Sequence, residues 1–184
     1  MKMKLLSAAG LVSVGLFVAA PAFADPTKAE LNASASKALT HFYDLSPKNK
    51  DLAGKAAGIL IFPEVTKAGA GIAGEHGSGV LHVKGKPAGY YSITSGSVGA
   101  TLGVGTHTEM FLFMTHDALD KFTQSNGWSV GGDAAVAVMS KGAGGEYDSA
   151  ELGKPVLGFV YSEKGLIGDL SLEGSKISKD DDIK

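Results

Sequence analysis

Eleven of the chain's 26 glycines fall between Gly69 and Gly105, set among valine, isoleucine, leucine, threonine and tyrosine. Glycine in a helix interior costs about 1 kcal/mol relative to alanine, so this density excludes a helix through the region. In a strand, glycines two or three residues apart signal strong curvature or close backbone approach. The glycine spacing therefore predicts a bent, β-rich body.

The apolar runs locate the strands. Gly58–Phe62 ("GILIF") reads as a buried strand ended by Pro63. Gly69–Gly74 and Val80–Val83 read as two strands around a Glu75–Gly79 turn. Tyr90–Thr94 and Gly99–Gly105 follow, separated by Ser95-Gly96-Ser97. Thr108–Thr115 ("TEMFLFMT") is apolar almost throughout and so central. Trp128–Met139 and Val156–Tyr161 are further strands, and Gly165–Ser175 is a last hairpin or strand pair. Lys141–Gly153 is a polar loop, and Lys176–Lys184 reads as a frayed acidic end.

Helices precede this body and interrupt it once. Leu31, Ala35, Ala38, Leu39 and Phe42 recur at helical spacing, predicting a helix over Pro26–Tyr43 capped by Asp25. A short helix follows over Lys48–Ala57, and Asp117–Ser125 forms another, capped by Asp117. The expected class is α+β: N-terminal helices packed on a strongly curved, barrel-like antiparallel sheet with one inserted helix. The expected organisation is a leader over 1–24, a helical segment over 25–57, a β-rich body over 58–178 forming one unit with it, and an acidic tail over 179–184.

The leader reading rests on Lys2 and Lys4, the apolar run Leu5–Ala20, the Pro21 break and the small-x-small site Ala22-Phe23-Ala24. It predicts export to the periplasm with cleavage after Ala24, and a soluble product, since no cysteine is available for lipid attachment. Removing Lys2 and Lys4 takes the 17 basic residues to 15 against 19 acids, a net charge of −4. Every basic residue is a lysine. Without the guanidinium fork, and with a mildly acidic balance, nucleic acid is not an expected partner.

Gly69, Gly71 and Gly74 spell G-x-G-x-x-G, the dinucleotide fingerprint. The helix that should follow is absent: "EHGSG" leads instead into the strand-like "VLHV". No acidic residue lies between Glu75 and Glu109 to hold a ribose. The glycines are therefore assigned to a bent strand pair, with no nucleotide and no other cofactor. Catalytic patterns are equally thin. The nucleophile elbow is lacking, because Ser95-Gly96-Ser97-Val98-Gly99 misses its first glycine. His107 and Glu109 share a strand face and could begin a metal or acid/base site, but are read here as an exposed strand entrance. His76 and His82 are read as surface residues, and Asp133 as a turn aspartate bonding backbone N–H groups. No catalytic residue and no metal ligand is assigned.

Four blocks in order resemble the SYLF domain: Ala56–Leu81, Tyr90–Phe122, Gly127–Val138 and Val160–Gly174. The resemblance covers nearly all of the chain after the leader. It implies a binding protein rather than an enzyme. Eukaryotic members bind phosphoinositides and some bind actin filaments; exported bacterial members are proposed to bind lipid. Actin binding is not expected in the periplasm, so only the lipid role is carried over.

The resulting expectation is an envelope protein that binds anionic phospholipid or a membrane surface. Lys48, Lys50, Lys55 and Lys67 supply the charge, and Phe42 and Tyr43 the interfacial anchors. Two alternatives stand beside it. One is a structural or partner-binding protein using a sheet edge or the Lys141–Gly153 loop. The other is a metal-dependent hydrolase using His107, Glu109 or Asp133.

Overall fold

The computed structural model describes residues 25–139, 147, 149–167 and 171–184, with backbone alone at 97–102 and 149–150. The expected leader, and part of the expected Lys141–Gly153 loop and Gly165–Ser175 hairpin, lie outside these residues. The described elements are α1 (Lys28–Leu45), α2 (Pro47–Lys55), β1 (Gly58–Val83), β2 (Lys86–Phe113), α3 (His116–Gln124), β3 (Trp128–Ser129), β4 (Ala137–Val138), α4 (Ser149–Leu152), β5 (Val156–Ser162), β6 (Gly165–Leu166) and β7 (Lys176–Lys179).

The helices start where their caps dictate. Thr27 Oγ1 accepts from the Glu30 amide at 3.3 Å, and the Glu30 carboxylate accepts from the Thr27 amide at 2.9 Å. This reciprocal pair, rather than the expected Asp25, opens α1. Likewise α3 is capped by Thr115, one residue before the helix and two before the expected Asp117. Pro47 occupies the first turn of α2, where its missing N–H is no loss.

The sheet departs furthest from expectation. The four segments expected between Gly69 and Gly105 are not separate strands: together with "GILIF" and "TEMFLFMT" they merge into β1 of 26 residues and β2 of 28 residues. The two pair antiparallel from Gly58↔Phe113 to Val83↔Lys86. The reversal lies at Lys84-Gly85, with φ of 51° and 74°. Two successive positive φ values are the two-residue hairpin turn whose twist matches its strands. Glu75–Gly79 is not a turn but continuous strand.

This long ladder is doubled over. A Cβ at Gly58 would lie 3.5 Å from the His82 carbonyl, and one at Gly77 2.9 Å from the Glu64 carbonyl. One at Gly79 would meet the Phe62 ring and lie 2.8 Å from the Ile61 carbonyl. One at Gly69 would run into the Ile72 carbonyl. The two halves of β1 thus run back along each other, far closer than the ~10 Å that separates ordinary packed sheets. The fold occurs where β1 carries a register shift between Ala70 and Ile72 and Gly71 takes φ 78°. The G-x-G-x-x-G string therefore belongs to a bend in the sheet, as read from the sequence.

The remaining strands extend β2 on its other edge. β5 pairs residues 108–113 and β7 pairs residues 91–94. The seven-stranded order is β3-β7-β2-β5-β4, with β1 on β2 and β6 on β5. The sheet is not closed, which corrects the barrel-like expectation: no pairing joins β4 to β1 or β3 among the described residues. Curvature is concentrated in one fold at the bend instead of being spread around a ring. The β4–β5 pair is parallel; the other strand pairs are antiparallel. Trp128–Met139 yields two short strands flanking a turn rather than one strand. Lys176–Lys179 is a sheet strand, Ile183 is buried and the Lys28 amide donates to the Lys184 carbonyl, so the expected frayed end is docked.

Both faces of the sheet are covered where "GILIF" and "TEMFLFMT" lie, which explains the unbroken apolar runs. Ile59, Ile61, Met110 and Leu112 face α1, packing on Leu31, Ala35, Ala38 and Phe42. Their neighbours Leu60, Phe62, Phe111 and Phe113 face α3 and Trp128. The alternation of a pleated strand sends successive side chains into the two clusters.

Candidate functional site

The six residues expected to contact lipid do not form one surface. Phe42 is fully buried, edge-on to Phe159 with ring centroids 4.7 Å apart and stacked on Tyr161 at 5.9 Å. It is a core residue and unavailable to a bilayer. Tyr43 is half-buried, and desolvation pushes its hydroxyl pKa up. Lys67 sits at the bend, where its ammonium holds Glu75 Oε1 at 2.8 Å. That is nine residues, roughly 30 Å of extended strand, from the start of β1 next to α2. Lys48, Lys50 and Lys55 are exposed on α2.

The doubled ladder brings two further lysines to the α2 end. Lys84 and Lys86 flank Gly85 in the exposed turn. The turn returns to the base of β1, where the His82 carbonyl approaches Gly58, three residues after Lys55. Sequence reasoning missed this pair because the turn was placed at Glu75–Gly79, ahead of the true reversal at Lys84-Gly85. The Lys-Gly-Lys string was the available signal.

A buried polar anchor holds α2 in place. Asn49 is wholly buried; its amide donates to the Phe42 carbonyl at 2.7 Å, and its oxygen accepts from the Tyr147 hydroxyl at 2.7 Å. Tyr147, expected in a polar contact loop, is itself buried. The Tyr161 hydroxyl donates to the Ala38 carbonyl at 2.9 Å, tying α1 to β5.

A second polar group lies inside the bend. Alternation on β2 puts His107 and Glu109 on one face, as expected, but that face is interior: they are 7% and 2% exposed. This corrects their reading as an exposed strand entrance. The fold of the ladder is the cause, since it lays Glu75 from the far half of β1 across them. His107 Nε2 lies 2.9 Å from Glu109 Oε1 and 4.0 Å from Glu75 Oε2. Ser95 Oγ donates to Glu75 Oε2 at 3.1 Å. Glu109 Oε2 is buried with no hydrogen-bond partner. The other candidates stay apart. Asp133 accepts from the Ser129 amide at 2.7 Å in an exposed turn, as read from the sequence. His76 is exposed and His82 half-buried, six residues or about 20 Å apart along β1.

Residues 94–184 match the family model described as "Ysc84: Las17-binding protein actin regulator". Over these 91 residues the chain is similar to the Ysc84 (SYLF) domain. Members of this family bind lipids or actin-related partners and are not known as enzymes. The "LAS seventeen-binding protein 3" of Saccharomyces cerevisiae, found in two strains, is 29% identical over 134 residues. That stretch is 69% of this chain and 29% of the yeast protein, so the chain spans under a third of its relative's length. Within the Ysc84 (SYLF) match lie the β2 segment that pairs β5, together with His107 and Glu109; β1, its turn, α2 and all but Thr94 of the β2 segment that pairs β7 precede it.

Proposed function

We propose that this Ysc84 (SYLF) domain protein is an exported, periplasmic, lipid-binding protein of the cell envelope that docks on anionic phospholipid. One observation carries the docking surface: Lys48, Lys50 and Lys55 on α2 share an end of the molecule with Lys84 and Lys86 of the β1–β2 turn. Each lysine near an anionic bilayer contributes about 1 kcal/mol. Five supply up to about 5 kcal/mol at low salt, opposed by the net charge of −4 left after leader removal. Asp51 on α2 and Asp120 on α3 reduce the local excess. Export is part of the proposal and rests on the leader pattern of residues 1–24. Actin binding and catalysis are not part of it.

Flotation with phosphatidylglycerol and phosphatidylcholine vesicles tests this reading. Binding to the anionic vesicles alone, weakening as salt rises, is the expected result. Replacing Lys48, Lys50, Lys55, Lys84 and Lys86 by Gln removes it at unchanged melting temperature. Replacing Lys164, Lys176 and Lys179 has little effect. Absence from both vesicle types at low salt refutes the reading, and equal loss from both sets of changes refutes the location. A protein-partner reading is favoured by one feature: Ile72 and Val104, at the bend, are 72% and 75% exposed. In-cell cross-linking from that bend separates the two, since a discrete protein adduct without lipid co-purification supports the partner.

A further inference from the structure

Glu75, His107 and Glu109 each present one donor atom, and these three atoms all lie within 4.8 Å of one another. We propose that they form a binding site for a single divalent transition cation, of which zinc is the representative, clamping the doubled ladder at its bend. The residues are not ladder partners and meet only through the fold: Glu75 comes from the second half of β1, while His107 and Glu109, from the second half of β2, pair with the first half of β1. An ion there is a tie across the fold, independent of any lipid contact at the α2 end.

Two observations beyond the cluster point to a ligand. The first is Glu109 Oε2, buried without a partner on a side chain that is 98% inaccessible. A buried carboxylate oxygen left unsatisfied is costly, and a cation beside it removes the cost. The second is how Glu75 is held. Lys67 takes Oε1 at 2.8 Å and Ser95 Oγ donates to Oε2 at 3.1 Å, holding Oε2 on the side of His107. That is the outer-sphere arrangement which commonly orients a ligating carboxylate. Lys67 neutralises one of the two carboxylates, so with neutral imidazole the group retains one negative charge for a cation to meet.

The donor set selects the class. One imidazole nitrogen with carboxylate oxygens suits zinc and neighbouring transition ions. Calcium and magnesium demand six or more oxygens, or an octahedron completed by water. Zinc binds such donors at about 2.0–2.2 Å, placing neighbouring ligand atoms about 3.4 Å apart in a tetrahedron. The present separations of 2.9 and 4.0 Å bracket that value. Three protein ligands leave a fourth position for water. A cleft of about 490 Å³, lined by His107, Thr106, Glu64 and Ile167 among others, provides the approach.

The test uses the whole chain stripped with chelator, then titrated with zinc sulfate. Metal retained after desalting is measured alongside the melting temperature. One equivalent of zinc is expected, with a raised melting temperature. Glu109→Gln and His107→Gln are expected to weaken binding at least ~10-fold, while His76→Ala leaves it unchanged. Cobalt added to the unmutated chain should give the visible bands of a four-coordinate site with nitrogen and oxygen donors, which keeps the test decisive where a variant fails to fold. A folded parent that retains no zinc at about 100 µM and shows no cobalt bands overturns the proposal. Retention by both variants equal to the parent's also overturns it, and assigns the metal to surface groups.

Discussion

Replacing Gly79 by alanine probes the feature on which the whole architecture turns, the contact between the two halves of β1. The new Cβ would lie 2.6 Å from Phe62 Cε1 and 2.8 Å from the Ile61 carbonyl oxygen. Ordinary carbon contacts begin near 3.5 Å, so the methyl group intrudes by about 1 Å. Neither neighbour can give way cheaply. Phe62 is fully buried and edge-on to Phe111 at 6.2 Å, and the Ile61 carbonyl is backbone. Overpacking of this kind costs about 1–3 kcal/mol, and the double clash puts Gly79→Ala at about 2–3 kcal/mol. Removing glycine's extra backbone freedom returns about 0.5–1 kcal/mol, leaving a net loss of about 1–2 kcal/mol. At about 2–4 °C per kcal/mol for a domain of this size, the melting temperature falls by roughly 2–8 °C. Gly74→Ala is the control: nothing lies within 4 Å of its Cβ position. It should be neutral or stabilising by up to about 1 kcal/mol. Circular dichroism melts and urea titrations of both variants measure the difference. A Gly79→Ala protein as stable as the parent, or equal losses from both changes, would refute the doubled ladder.

Three further outcomes follow from the packing. Phe42→Ala should destabilise by about 3–5 kcal/mol in urea titration, because a fully buried ring is lost from between α1 and β5. Tyr161→Phe removes the donor to the Ala38 carbonyl and should cost about 1–2 kcal/mol by the same assay. His82 has its pKa lowered by burial, and its Nε2 has no partner. The folded state therefore binds that proton less readily than the unfolded chain. His82 should contribute stability that is fully present above about pH 6.5 and declines as the pH falls towards its lowered folded-state value. Melting temperatures at pH 7.5, 6.5 and 5.5 should fall more steeply for the parent than for His82→Leu.

Local chemistry was legible where a single element decides the outcome. The α1 face of Leu31, Ala35, Ala38 and Phe42 follows from helical spacing alone, and all four are buried. "GILIF" and "TEMFLFMT" read as buried strands because both of their faces are covered, and both faces are. That the G-x-G-x-x-G string runs on into strand rather than helix followed from what comes after Gly74. Asp133 followed from turn chemistry confined to five residues.

The errors share one cause: a property that depends on what crosses an element from far away. Gly77 and Gly79 read as a turn because glycine commonly marks one; they are needed because Glu64 and Phe62 lie against them. The true reversal at Lys84-Gly85 lacks the Asn-Gly or Asp-Gly signal, and hairpin pairing along the whole of β2 forces the positive φ on Lys84. Alternation placed His107 and Glu109 on one face, but only the fold of the ladder decides that this face is interior and that Glu75 and Lys67 meet it. Phe42 and Lys67 were grouped with Lys48, Lys50 and Lys55 by nearness in sequence, which a helix turn and a long strand then pulled apart. Periodicity is a property of neighbours a few residues apart and is written into the chain. Which face is buried, and which charges share a site, depends on contacts between residues dozens of positions apart, and those exist only once β1 has folded back on itself.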